Sequence, residues 1–208
     1  DAYYNNYDNF QVSVAYPQVP NFAFELNNPN PSKIYGVEAE AQGVFGQFSF
    51  DAGIGLMHSS LGTFYANDPR VPPYSPPPLY TPQACLPRSG PSSSSCINIG
   101  GRPQAYAPNF TFNVSAAYAF DLGNANTLTP RVNYGHLSDQ WATLFDNAAL
   151  GDRLQPRDIL GAQLAWSNGP WTVTLYGTNL TNQHYIGAVN SGVRWAGPPR
   201  QIDLSVLT

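Results

Sequence analysis

The sequence predicts an all-β protein whose antiparallel strands cross a membrane as part of a barrel, and three observations carry that prediction. Apolar and polar residues alternate with period two along most of the chain, the pattern of a half-buried strand. The links between alternating segments are short and long in turn, as in barrels with brief turns at one rim and extended loops at the other. Charged residues make up 11% of 208 positions, against roughly 25% in typical globular proteins.

The strands follow in order. Phe10, Val12, Val14 and Tyr16 oppose Gln11 and Ser13; Tyr35, Val37, Ala39 and Ala41 oppose Glu38, Glu40 and Gln42. Phe48, Phe50, Ala52, Ile54 and Leu56 alternate with Gln47, Ser49, Asp51, Gly53 and Gly55. The clearest case runs from Asn109 to Phe120, where Phe110, Phe112, Val114, Ala116 and Tyr118 face away from Thr111, Asn113, Ser115 and Ala117. Leu128, Val132 and Tyr134 oppose Thr127, Thr129, Arg131 and Asn133. Leu160, Ala162, Leu164 and Trp166 oppose Gly161, Gln163 and Ala165, then Trp171, Val173 and Leu175 oppose Thr172, Thr174 and Tyr176. Ile202, Leu204 and Val206 close the series against Gln201, Asp203 and Ser205, for about eight strands in all by this pattern.

Short turns are expected at 45–47, 121–126 and 167–170, where Gly, Asn, Asp and Pro suit tight reversals. Long links are expected at about 17–31, 62–105, 141–153 and 183–199. A soluble sandwich with these aromatics as its core is the plain alternative. It would carry Lys and Glu on its exposed faces, whereas here the less apolar face holds Ser, Thr, Asn, Gln and Gly, and Lys33 is the only lysine. Aromatics near strand ends, such as Phe110 with Tyr118 and Phe120, or Trp166 with Trp171, fit interfacial girdles. Lipid-facing charge costs about 2 to 4 kcal/mol at the midplane, so Asp51, Arg131 and Asp203 are expected on the lumen side.

Composition excludes other classes. Eighteen glycines and 20 prolines leave no room for long amphipathic helices, and a net charge of −4 with nine basic residues removes the footprint of a nucleic-acid partner. No apolar run is long enough for a transmembrane helix, and with no signal-peptide pattern at its start the chain reads as a mature or internal segment.

Three stretches resemble the C-terminal half of the barrel in TonB-dependent outer-membrane receptors. Ile34-Tyr35-Gly36-Val37-Glu38 is similar to a recurring strand of that family, Asn179-Leu180-Thr181-Asn182 followed by Tyr185 resembles its penultimate-strand signature, and Gly197-Pro198-Pro199-Arg200 is similar to the segment opening its last strand. The resemblance spans essentially all of 1–208 and implies a C-terminal portion of a barrel of about 22 strands. It further implies a plug domain inside the barrel, absent from this chain, and uptake of a scarce nutrient (siderophore-iron, cobalamin, haem or a glycan) powered by TonB through that plug. The implied location is the bacterial outer membrane, with lipid around the wall and a small-molecule or glycan ligand at the mouth. Barrels of the family usually end on an aromatic residue, whereas this chain stops at Val206-Leu207-Thr208. The expectation is therefore a fragment of a longer receptor, or one half of a split receptor. A complete eight-stranded barrel would instead pair its first and last strands, and a secreted β-assembly would pair them between subunits.

Within the long extracellular loop at about 62–105, Cys85 and Cys96 are the only cysteines. An even count on the cell-surface side favours a disulfide, expected to stabilise by about 2 to 3 kcal/mol. Tyr65, Arg70, Tyr74 and Tyr80 in the same Pro-rich loop are ligand-contact candidates, since aromatic faces with an occasional Arg suit sugars and aromatic chelates; the plain alternative is a stiff loop packing its own tyrosines. His58, His136 and His184 sit on separate strands without metal-ligand spacing. Glu38 and Glu40 lack the supporting constellation of an enzyme, so no cofactor, metal or catalytic residue is expected.

Overall fold

The computed structural model describes residues 1–15, 23–68, 70, 96–190 and 192–207. In chain order its strands are β1 (Ala2–Tyr7), β2 (Phe10–Ala15), β3 (Ala23–Asn28), β4 (Ser32–Phe45), β5 (Phe48–Ser60), β6 (Tyr65–Asn67) and β7 (Cys96–Asn98). They continue with β8 (Phe110–Tyr118), β9 (Phe120–Gly123), β10 (Asn126–Leu137), β11 (Gln140–Trp141), β12 (Arg153–Leu154), β13 (Arg157–Asn168) and β14 (Trp171–Thr178). The last are β15 (Ile186–Asn190), β16 (Val193–Ala196) and β17 (Gln201–Leu207).

One antiparallel sheet forms the body of the molecule, in the order β1-β4-β5-β8-β10-β13-β14-β17, with β9 continuing the line of β8 against β10. Among the described residues β1 and β17 are edges that do not pair with each other. That removes the closed eight-stranded barrel.

The short connections occupy one rim and the long ones the other. Gly46-Gln47, Asn124-Ala125 and Gly169-Pro170 reverse the chain between β4 and β5, β9 and β10, and β13 and β14. Asn124 and Ala125 both have positive φ, 52° and 60°, as a type I′ hairpin turn demands. The turn expected at 121–126 is thus narrower than its composition suggests, because β9 carries the ladder on to Gly123. The four long loops, 8–31, 61–109, 138–156 and 179–200, each contain a small ribbon: β2–β3, β6–β7, β11–β12 and β15–β16.

Two strand assignments differ from the sequence pattern. Phe10–Ala15 alternates and is a strand, but it belongs to the first loop's ribbon. The wall strand is Ala2–Tyr7, paired with β4 from Ala2↔Val37 to Tyr7↔Ser32. Its sequence, AYYNNY, puts Tyr3 and Tyr4 on opposite faces, so no alternation is visible there. Within Asn109 to Phe120 the ladder breaks at Ala119, whose N–H donates to the Gln47 carbonyl instead.

Register sorts the residues into two faces. One carries Val37, Leu56, Ile54, Val114, Val132, Leu164, Leu175 and Leu204, aligned across neighbouring strands. Among the described residues no second sheet covers it, and Ile202 is 66% exposed and Leu204 60%, unlike the packed face of a soluble sandwich. Rings flank it at both rims, with Tyr4 stacked on Tyr35 and His58 tilted against Tyr35 at one end, and Phe45, Phe48 and Phe50 together with Tyr118 and Phe120 at the other. From Tyr35 to Phe45 is ten steps along β4. At about 3.4 Å per residue and a tilt of about 40° this gives roughly 26 Å, close to the ~25 Å apolar band of an outer-membrane barrel. Among the described residues the wall has no layered core. The buried apolar clusters lie in the long loops, around Leu61, Phe64, Ala66 and Ile99, and around Ala142, Leu154 and Val189.

Candidate functional site

The polar face of the wall carries the charges that the sequence places on the lumen side. Arg131 on β10 ion-pairs with Asp51 on β5 at 2.8 Å and donates from Nε to Asn133 at 3.0 Å. Tyr176 donates to Asp203 at 3.2 Å. By register Glu38, Glu40, Gln163 and Thr174 share this face. Gly53 and Gly55 leave room on it: a Cβ at Gly53 would stand 2.6 Å from Asn113 Oδ1, and one at Gly55 2.7 Å from Thr111 Oγ1. The neighbouring polar side chains lie flat over these glycines, and the wall stays smooth and hydrogen-bonding.

Asp158 is the exception. It alternates with the apolar residues of β13, at the long-loop rim, where Tyr134 donates to it at 2.5 Å and His136 Nδ1 lies 2.7 Å away. Both partners sit on the same face of β10, one hydrogen-bonded step from β13. A carboxylate at that height is kept by local partners rather than by the lumen.

Above the polar face the long loops are tied together by buried charge. Asp152 is fully buried. It accepts two bonds from the Arg70 guanidinium, at 2.5 and 2.7 Å, one from Thr143 Oγ1 at 2.6 Å and one from the Asn147 N–H at 3.0 Å. Arg70 also donates from Nε to Asp68 Oδ1 at 2.8 Å and from Nη2 to Oδ2 at 2.9 Å. Burial pushes the Asp152 carboxyl up, but the Arg70, Thr143 and Asn147 bonds outweigh it and hold the carboxyl below its ordinary range. The Asp152 bond, against burial and aided by Asp68, holds Arg70 more firmly protonated than a free guanidinium. Asp146, at φ 47°, has a buried Oδ1 that meets no hydrogen-bond partner among the described residues. Burial raises it to about 6, with Arg102 pulling down and Asp152 pushing up.

Tyr106 links three loops. Its N–H donates to the Trp141 carbonyl at 2.7 Å, its Oη donates to the Val189 carbonyl at 2.7 Å, and the Val189 N–H donates back to Oη at 2.9 Å. At the base of the fourth loop Arg157 lies 5.2 Å above the Tyr185 ring, within cation–π range.

Of the sequence-based ligand candidates, Arg70 has its guanidinium engaged by two carboxylates. Tyr65 is half-buried in β6, beside Ala66 of the loop cluster. Tyr74, Tyr80 and Cys85 lie outside the described residues, and only the backbone of Cys96, in β7, is described. Sequence reasoning did not find Asp152, Thr143 or Tyr106. Arg70 and Asp152 are 82 positions apart, and the local sign was the Asp68-x-Arg70 spacing, an Asx-turn in which the Arg70 N–H donates to Asp68 Oδ1 at 3.0 Å.

Among the described residues no group of His, Cys, Asp and Glu is placed to hold a metal ion. Nor is any helix long and apolar enough to cross a membrane.

No curated protein matches the sequence. Solved structures do match in fold. The ferric yersiniabactin uptake receptor FyuA of Yersinia pestis aligns over 99% of this chain and 26% of its own, at 15% identity and a TM-score of 0.66. The siderophore receptor PiuA of Acinetobacter baumannii aligns over 99% and 24%, at 14% identity and a TM-score of 0.61. The ferric preacinetobactin receptor BauA of the same organism aligns over 99% and 26%, at 17% identity and a TM-score of 0.59. The chain thus spans about a quarter of the length of these receptors. The family model described as TonB dependent receptor-like, beta-barrel matches residues 1–180. With an open antiparallel sheet, one lipid-like face, one polar face and all long loops at one rim, the chain belongs to the TonB-dependent receptors of the bacterial outer membrane and forms part of their β-barrel.

Proposed function

We propose that this chain forms one sector of the wall and outer mouth of a receptor that takes up a scarce nutrient, a ferric siderophore in the first instance. The observation that carries the reading is one-sided construction: all four long loops stand on one rim, above a wall whose inner face is polar and whose outer face is apolar. Similarity of fold to three siderophore or ferric-siderophore receptors supports iron chelates ahead of cobalamin, haem or glycans. Uptake would draw energy from TonB through a plug domain held in the lumen. No residue of this chain performs covalent chemistry in that scheme.

Tyr65, Tyr74 and Tyr80 are proposed to meet the ligand, with aromatic faces suited to catecholate or phenolate chelates. Arg70 is proposed to support that surface from beneath, since its donors are taken by Asp68 and Asp152. A Cys85–Cys96 disulfide is proposed to compact the second loop, from cysteine count and compartment.

The test is radiolabelled-iron uptake by cells starved of iron, with and without the full-length receptor, across catecholate, hydroxamate and phenolate siderophores. Uptake that needs both the receptor and TonB is expected for at least one class. A receptor that fractionates away from the outer membrane, or that moves none of these chelates, would remove the siderophore reading.

A further inference from the structure

We infer that the described residues of the second, third and fourth outer loops form a single body that opens as one unit, with Arg70 as its keystone. This rests on reading those loops as the receptor's outer mouth. Among the described residues each of the three carries only a short ribbon: β6 and β7 are three residues each, β11 and β12 two each, and β15 and β16 five and four. Ribbons of that length are marginal in isolation. What orders them is contact with one another.

The contacts close a triangle. The second loop meets the third through the bond between Arg70 and buried Asp152, through Arg102 donating to the Phe145 carbonyl, and through Leu144 and Phe145 packed on the cluster of Leu61, Phe64, Ala66 and Ile99. The second meets the fourth through the two bonds between Tyr106 Oη and the Val189 backbone. The third meets the fourth through Ala142, Leu154, Val189 and Ile186. There the Arg194 guanidinium also occupies the space that a side chain at Gly151 would need. Each loop is tied to both others.

The charge at the centre makes partial opening unfavourable. Lifting the third loop off Arg70 leaves the fully buried Asp152 carboxylate without its cation before water can reach it, the costliest way to break a buried pair. Such a junction is stable when whole or when fully parted, and that is the physical basis of a cooperative unit.

Hydrogen exchange on the full-length receptor in detergent micelles tests this, and no ligand is needed, so its failure is distinct from failure of the uptake reading. Three amides report the three loops: Ile99, bonded to Phe64; Ala142, bonded to Asp152; and Val189, bonded to Tyr106 Oη. Arg70→Gln is expected to speed exchange at all three by a common factor of tenfold or more, although Val189 does not touch Arg70, while the wall amide of Val132 stays unchanged. Tyr106→Phe removes one hydroxyl at another corner of the triangle and keeps the question open to test if Arg70→Gln fails to assemble. It too is expected to loosen Ile99 and Ala142 along with Val189. Faster exchange confined to residues near each substitution would overturn the inference.

Discussion

Asn179 donates from Nδ2 to the carbonyl of Pro198 at 3.0 Å, joining two sequence motifs that lie 19 residues apart. The same Nδ2 reaches the Gln183 carbonyl at 2.9 Å, and the Gln183 N–H donates to Asn179 Oδ1 at 2.8 Å. Asn182 adds a bond from the Arg200 N–H at 3.2 Å. The Asn-Leu-Thr-Asn and Gly-Pro-Pro-Arg segments are thus the two feet of the fourth loop. Asn179 holds φ 48°, a conformation that Asn tolerates better than most residues, and it is 3% exposed. Asn179→Ala removes both donor and acceptor at a buried site and is expected to cost about 2 to 3 kcal/mol. Asn179→Asp, which keeps the acceptor and loses both donations, is expected to recover only part of that. The midpoint of heat-modifiable gel migration for the receptor reads the difference, and equal midpoints for wild type and Asn179→Ala would refute it.

A second relationship spans the wall itself. Arg131 and Asp51 sit on strands separated by β8, about 10 Å apart at ordinary strand spacing. Their ion pair therefore crosses Ser115 and Ala117, the register partners of Asp51 and Arg131 on β8, and leaves both buried on an otherwise open face. The small side chains are what let the bridge lie flat. Ser115→Leu is expected to destabilise by about 1 to 3 kcal/mol through overpacking, and Arg131→Met by less than about 1 kcal/mol, because the pair is well exposed. Double-mutant analysis by thermal melting in detergent checks this; an additive pair would mean that the bridge does not depend on β8.

The two faces give opposite responses at adjacent positions. Leu164 lies on the apolar face, beside Leu175, and Gln163 on the polar face, beside Arg131 and Tyr176. Leu164→Arg is expected to cost about 2 to 4 kcal/mol if near the bilayer midplane, while Gln163→Arg is expected to assemble normally. Reversible unfolding in lipid vesicles measures both, and comparable penalties at the two sites would contradict the assignment of faces.

The wall was legible in the sequence because alternation is a local signal. β5, β8, β10 and β13 all follow it, and the motifs around Asn179 and Gly197 carried the family. Three kinds of information were not local. β1 hides its period behind consecutive tyrosines, Tyr3 and Tyr4. Phe10–Ala15 alternates as a wall strand does, and only its partner β3 reveals it as part of a loop ribbon. The buried charge that organises the loops joins residues 82 positions apart, so the sequence shows Arg70 as a ligand-contact candidate among aromatics and gives no sign of Asp152 beside it.

Acid is expected to tighten the junction of the second and third loops before it loosens it. The Asp146 carboxyl is raised to about 6 in the folded loop, against an ordinary value of 3.8. Its charged form is therefore disfavoured by folding, and the penalty present at pH 7 to 8 is relieved as pH falls through about 6. The gain is of order 1 to 3 kcal/mol for a shift of this size. Asp152 behaves oppositely: held below its ordinary range, it contributes stability above that range and loses it only as pH drops below about 4. Limited proteolysis of the receptor from pH 8 to pH 3.5, with rates corrected for protease activity, should show slowest cleavage in residues 138–156 near pH 5. In Asp146→Asn the gain between pH 7 and pH 5 should vanish, with the loss in strong acid intact. A variant that retained the mildly acidic optimum would show that another group carries it.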